Sequence, residues 1–231
     1  FKKGEEEMKK NISILVIMSC ILVIFSLILS AEEAKYDFRK TNWGMSKEQV
    51  RATEDESLKM IDLENDFLVK HIIYKVRIGD KHYHCDYVFL EDKLYLAHYS
   101  PEKRYSDLNN YIRDYEEIKE ILIKKYGKPD MKKLKALEDR EEICWKTDLL
   151  KDDKSKWGIA VSKGDLSYML IWETPTTNIE LSLKGLVFPG MNFEEVFLRV
   201  SYKSKELKEW AEERVEEWEN ETLEEKDKSS F

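Results

Sequence analysis

All four histidines of this 231-residue chain, His71, His82, His84 and His98, fall between Leu68 and Ser100. Imidazoles bind metals and move protons at neutral pH, so chemistry is sought first in this stretch. His82 and His84 stand two apart in a run whose odd positions are Tyr83, Cys85, Tyr87 and Phe89. On a strand two such residues share a face and can bind one metal, which makes His82 and His84 the candidate metal ligands. A working site needs a third or fourth ligand. A hairpin turn at Asp92-Lys93 would set His98 opposite Tyr87, facing away. His71 lies on the correct face but several residues along, and Asp86 has Lys75 or Arg77 across the hairpin as ion-pair partners. Two converging nitrogens are too few, so the reading is of solvent-facing sheet histidines, with no metal and no cofactor.

Thiol chemistry would need Cys85 or Cys144 beside a histidine, yet the neighbours His84 and Cys85 point to opposite faces of a strand. The chain contains no Gly-x-Ser-x-Gly, phosphate-binding glycine loop, dinucleotide fingerprint or His-Glu-x-x-His. Paired glutamates occur at 116–117, 141–142, 194–195, 212–213 and 216–217. Adjacent helix residues diverge by about 100°, so these pairs suit solvent better than acid–base catalysis. No catalytic residue is assigned.

The elements that would hold these residues follow from periodicity. In Ile72–Ile78 the even positions are apolar, with Lys75 and Arg77 opposite. Together with Tyr83–Phe89 and Leu94–Tyr99 this predicts a three-strand meander turning at Gly79-Asp80 and Asp92-Lys93. Leu58, Met60 and Ile61 suit an edge strand before it. Ser46-Lys47-Glu48-Gln49 has the form of a capping box opening a short helix, with Trp43 and Val50 toward the core. Leu108, Tyr111, Ile112, Tyr115, Ile118 and Leu122 make one helical stripe, capped by Ser106 or Asp107 and stopped at Gly127. The preceding meander is its expected neighbour. Residues 130–140 read as a charged loop.

A strand follows at Glu141–Thr147, then a helix from Asp153 to Gly164 and strands at 166–173, 178–184 and 196–202. Residues 185–190 read as a loop. A closing helix at about 203–222 carries the stripe Leu207, Trp210, Ala211, Val215 and Trp218, and residues 224–231 fray. The fold class is α+β, antiparallel meander sheets packed by helices. Residues 32–129 and 130–223 share one rhythm of short helix, meander and long helix. That rhythm suggests two similar units in tandem, without a residue-level repeat.

Ile12–Leu29 is free of charge, with Lys9 and Lys10 before it and Ala31 after it, the parts of a secretory signal. The run also suffices to span a bilayer. Cleavage after Ala31 and a retained anchor both stay open, and both place residues 32–231 outside the cytoplasm, secreted, periplasmic or membrane-anchored. Ser19-Cys20 is a poorer lipidation signal, because the apolar run continues past it. Met8 is read as the start, with residues 1–7 outside the fold. The first 31 residues carry four Lys and three Glu, so the net charge of −8 becomes −9 for the remainder. Such a polyanion is a poor nucleic-acid binder. Membrane contact is expected only through residues 12–29. Without Cys20, Cys85 and Cys144 are candidates for a disulfide.

Trp43-Gly44-Met45-Ser46 followed by Val50 resembles the opening of uncharacterised exported bacterial proteins. The helix-and-meander pattern is similar to the envelope-assembly lipoprotein and β-lactamase-inhibitor-like group, in which a Gly-x-Ser/Thr-x-x-x-Val segment opens a helix. The resemblance implies a binding or assembly role and brings no catalytic residues. The reading is therefore a non-catalytic binding or envelope-associated protein whose ligand is a protein or small molecule. The alternatives are a hydrolase or metal-dependent enzyme with an unrecognised site, and an assembly factor docking through the C-terminal helix.

Overall fold

The computed structural model describes residues 36–63, 68–136, 141–187 and 194–229. The run 12–29, and the address read from it, lie outside the described residues. Among the described residues no helix is long and apolar enough to cross a membrane.

Eight strands form one antiparallel sheet in the order β1-β2-β3-β4-β8-β7-β6-β5. The first meander is β2 (Val69–Ile78), β3 (Lys81–Leu90) and β4 (Lys93–Pro101), with β1 (Met60–Leu63) at its edge. The second is β6 (Leu166–Glu173), β7 (Thr177–Val187) and β8 (Glu194–Ser204), with β5 (Ile143–Trp145) at its edge. The last strands of the two meanders pair with each other, from Leu96 opposite Lys203 to Tyr99 opposite Val200. This seam joins both halves into one α+β sheet, which runs across the 129/130 boundary.

The helices α1 (Lys47–Thr53), α2 (Asn109–Tyr126), α3 (Met131–Ala136) and α4 (Trp157–Ser162) cover one face. On that face Ile72, Tyr87, Ala97, Tyr202, Ile179 and Trp172 stand in register across six strands, all buried. Removing this apolar surface from water is the main stabilising term for such a sheet.

Helix α2 lies mainly on the second meander and meets the preceding one where Lys81 of β3 donates to Asp114 Oδ1 at 2.7 Å. It packs across β7, β8 and α4, with the Tyr115 ring 5.1 Å from that of Tyr168 on β6. A helical stripe specifies which side is buried, not which sheet receives it; the β4–β8 seam brings the second meander underneath. Residues 131–136 are helical rather than loop. Asp130 Oδ1 accepts from the backbone N–H groups of Lys132 and Lys133, both at 3.0 Å, and Leu134 is fully buried. Met131, Leu134 and Leu137 recur every three residues, a helical signal that is too short to stand out among the charged residues around it.

The Trp-Gly-Met-Ser segment bridges the two halves. Ser46 and Gln49 form the expected capping box. Gly44 adopts φ 84°, a left-handed conformation that suits glycine. Its N–H donates to the Leu94 carbonyl at 2.8 Å, and Leu94 N–H returns a bond to Met45 at 2.9 Å. The Trp43 indole N–H reaches the second half, donating to Thr177 Oγ1 at 2.9 Å.

Helix α5 (Lys208–Ser229) starts later than expected, because β8 continues to Ser204. It runs beside the β3–β4 turn. Arg214 Nε donates to Glu91 Oε1 at 2.8 Å, and the Lys93 ammonium sits 4.6 Å from the centre of the Trp210 ring.

Candidate functional site

The site depends on the register of one hairpin. Leu90 pairs with Lys93, so the turn is Glu91-Asp92, both left-handed at φ 46° and 60°. Two left-handed residues match the twist of a tight hairpin. Phe89 then faces Leu94, but Val88 faces Leu96, so Tyr95 is an extra residue on β4. This bulge and the earlier turn set His98 opposite Asp86 instead of Tyr87. A one-residue slip reverses the face of every side chain beyond it. His98 therefore points to the same face as Asp86, against the sequence expectation.

Asp86, His98, Ser201 and Glu180 stand directly across from one another on β3, β4, β8 and β7. This polar row crosses the seam on the face away from α1–α4, with Ile73 beyond Asp86 and Ile171 beyond Glu180. His71 Nδ1 lies 3.1 Å from both Asp86 oxygens, and His98 Nε2 lies 3.0 Å from Oδ2. Asp86 thus takes two histidines as partners, not Lys75 or Arg77. Lys75 pairs with Glu102, and Arg77 Nε donates to the Gly79 carbonyl at 3.0 Å.

Burial alone would raise the Asp86 carboxyl, but hydrogen bonds and charge from His71 and His98 hold it below the usual carboxylate range. Burial pushes His98 below the usual imidazole value; Asp86 opposes this, while Arg199 and His71 add to it. A neutral His98 donates its Nε2–H to Asp86 and keeps a lone pair on Nδ1. That nitrogen is buried without a hydrogen-bond partner, on a residue only 6% exposed.

His98 forms part of a groove of about 370 Å³ over β4, β8 and β7, with Glu180, Ser182, Ser201, Arg199 and Phe197 among its lining residues. Arg199 stands opposite Ser182, with its guanidinium 5.8 Å from the Phe197 ring centre. The Arg199 Nε is buried and has no hydrogen-bond partner.

Among the described residues no three His, Cys, Asp or Glu side chains converge as metal ligands. His82 faces Arg77 across the hairpin, and His84 stands between Lys75 and Ser100. Lys75 is paired with Glu102, whose carboxylate is also close enough to feel both histidines, so the surroundings carry both signs of charge. In the His71–Asp86–His98 cluster the near nitrogens are directed at the carboxylate rather than at one vacant point. Cys85 and Cys144 are free thiols. They lie on β3 and β5, five positions apart in the sheet. That is about 24 Å at normal strand spacing, far beyond disulfide reach. Cys85 is fully buried on the helix-covered face, and burial pushes its thiol up to about 12, unsuited to a nucleophile.

Asp86, His98 and Ser201 have the residue types of a nucleophile, base and orienting acid. The geometry does not complete that assembly, because His98 Nδ1 makes no bond to the Ser201 hydroxyl. Asp86, His98, Ser201 and Glu180 all lie within paired strands, where backbone N–H groups serve the sheet ladder. No protein-family model, curated protein or solved structure matches the chain. The functional reading therefore rests on the groove and its neighbouring row.

Sequence reasoning missed His71, Asp86 and His98 as a cluster, and Ser201, Glu180 and Arg199 as its extension. The available signal was the broken alternation of Leu94-Tyr95-Leu96-Ala97, four apolar residues in a strand. Such a break is what an inserted bulge residue produces.

Two acid-linked losses of stability are expected. A His98 value depressed by burial means that the unfolded imidazole protonates first. Its contribution is complete above about pH 6.5 and declines below it until the folded value is passed. The depressed Asp86 contributes fully above about pH 3.9 and is lost as pH falls through its folded value. Urea midpoints measured across this range should show both declines, with His98→Gln lacking the first. A His98→Gln profile parallel to wild type throughout would contradict the assignment.

Proposed function

We infer that the chain is a non-catalytic binding protein of the cell envelope or exterior, taking a ligand in the groove over β4, β8 and β7. The observation that carries this reading is the buried His98 Nδ1, an acceptor without a partner in the groove lining. An unmet buried polar atom costs about 1–3 kcal/mol, and a ligand donor would recover part of that. The groove has the size and mixed lining of small-molecule sites. Export is supported by the charge-free run 12–29 and the acidic remainder.

A thermal-shift screen of small molecules tests the binding reading. A ligand held at 100 times its Kd adds about 2.7 kcal/mol of stability. Compounds that stabilise the wild type should lose the effect in His98→Phe and Arg199→Gln. Compounds that stabilise these variants equally would place binding elsewhere and sink the reading.

Hydrolysis is the second reading, favoured by the Asp86–His98–Ser201 row. It requires the Ser201 hydroxyl to approach His98 Nδ1 on substrate binding. Turnover of an ester by the wild type, abolished in Ser201→Ala with ligand binding kept, would establish it over the first.

A further inference from the structure

We propose that the groove recognises a small organic acid, with its carboxylate held by Arg199 and Lys203 and a hydroxyl or amino group facing His98 and Glu180. This rests on the binding reading above and narrows it to one chemical class.

The charge pattern carries the argument. The chain as a whole is −8, yet the groove is lined by Arg199, Lys203 and Lys184 against the single carboxylate of Glu180. Four other arginines hold carboxylates: Arg39 with Glu54, Arg51 with Asp62, Arg104 with Glu195 and Arg214 with Glu91. Arg199 is half-buried, with no ion pair among the described residues. A partly desolvated guanidinium without a counter-charge is disfavoured until an anion arrives. Its planar fork suits a carboxylate in two parallel hydrogen bonds, and the Phe197 ring 5.8 Å away restricts its orientation.

The second half of the recognition lies two residues along β8. Ser201 stands between His98 and Glu180, about 7 Å from the Arg199 position at normal strand rise. His98 Nδ1 and the Glu180 carboxylate are both acceptors there. A donor on the ligand satisfies them while its carboxylate remains at Arg199. The apolar walls, Leu96, Leu186 and Phe197, fit a short carbon skeleton between the two ends.

Malate and succinate are matched probes, differing by one hydroxyl. Inorganic phosphate and tetramethylammonium complete the set. Amide chemical shifts of the full chain would be followed by NMR during titration at millimolar concentrations. Malate should saturate with shifts centred on β4, β7 and β8, and should bind more tightly than succinate. Arg199→Gln should weaken malate about tenfold or more. Glu180→Gln should strengthen succinate and reduce the advantage of malate over it. Lys203→Gln should weaken both acids, and it serves as the charge test if the Arg199 variant loses its native spectrum.

The proposal is overturned if neither acid gives a saturable response in the groove, or if the response survives both charge variants unchanged. Phosphate binding as tightly as malate would overturn the carboxylate class. A neutral compound or tetramethylammonium binding in place of the acids would overturn the anionic class while leaving a binding protein. Absence of any groove ligand in the thermal-shift screen would remove both readings.

Discussion

Ile118→Asp should lower the stability of the protein by on the order of 3 kcal/mol or more. Ile118 is 7% exposed in the stripe of α2 that includes Tyr111, Tyr115 and Leu122. Aspartate there must either bury an unpaired charge or take up a proton, and the apolar contacts are lost in both cases. A typical domain has only about 5–15 kcal/mol in total, so the loss is a large fraction of its stability and should lower the urea midpoint markedly. Ile121→Asp is the internal control. It makes the same chemical change on the same helix, but Ile121 is 53% exposed. That variant should stay within about 0.5 kcal/mol of wild type. Urea denaturation with equal midpoints for the two variants would show that α2 does not bury the side described here.

Gly158→Ala and Gly185→Ala should each cost about 3 kcal/mol, the upper end for overpacking. A Cβ on Gly158 would lie 2.4 Å from the Leu108 carbonyl carbon and 2.5 Å from Asn109 N. One on Gly185 would lie 2.1 Å from Val161 O and 2.5 Å from Ser162 O. The opposing atoms are backbone, so no rotamer change relieves the clash. Helix α4 must lift as a unit from α2 in one case and from β7 in the other. That movement would also break the bond from Gly158 N–H to Asn109 Oδ1, 2.9 Å long. Ile159→Ala, adjacent in sequence but 43% exposed, should cost about 0.5 kcal/mol. Thermal melts placing Gly158→Ala and Gly185→Ala with Ile159→Ala would mean that α4 is not wedged between its neighbours.

These two glycines show how close approach escapes a one-dimensional reading. Gly158 sits in a stretch read correctly as helix, and Gly185 was read as the start of a loop although it lies inside β7. Neither has a positive φ, so no turn signal accompanies them. Their glycine identity is explained by atoms brought near from other elements.

The sequence by itself determined the parts whose cause is local. Alternation in Ile72–Ile78 and Tyr83–Phe89 specifies strands, because successive side chains leave opposite sides of the backbone. The stripe from Tyr111 to Leu122 specifies a helix, and Ser46 with Gln49 specifies a helix start, because both patterns are satisfied within a few residues. Together these are enough for the α+β class. Tertiary structure decided what those elements meet. It placed α2 on the second meander and joined β4 to β8, pairings between segments far apart in the chain that no local period encodes. It also decided the candidate site. The extra residue Tyr95 turns His98 toward Asp86, and the seam then carries the row on to Ser201 and Glu180. A side chain's type is written at its position, but its face depends on register, and register is settled only when the paired strands bury a common surface.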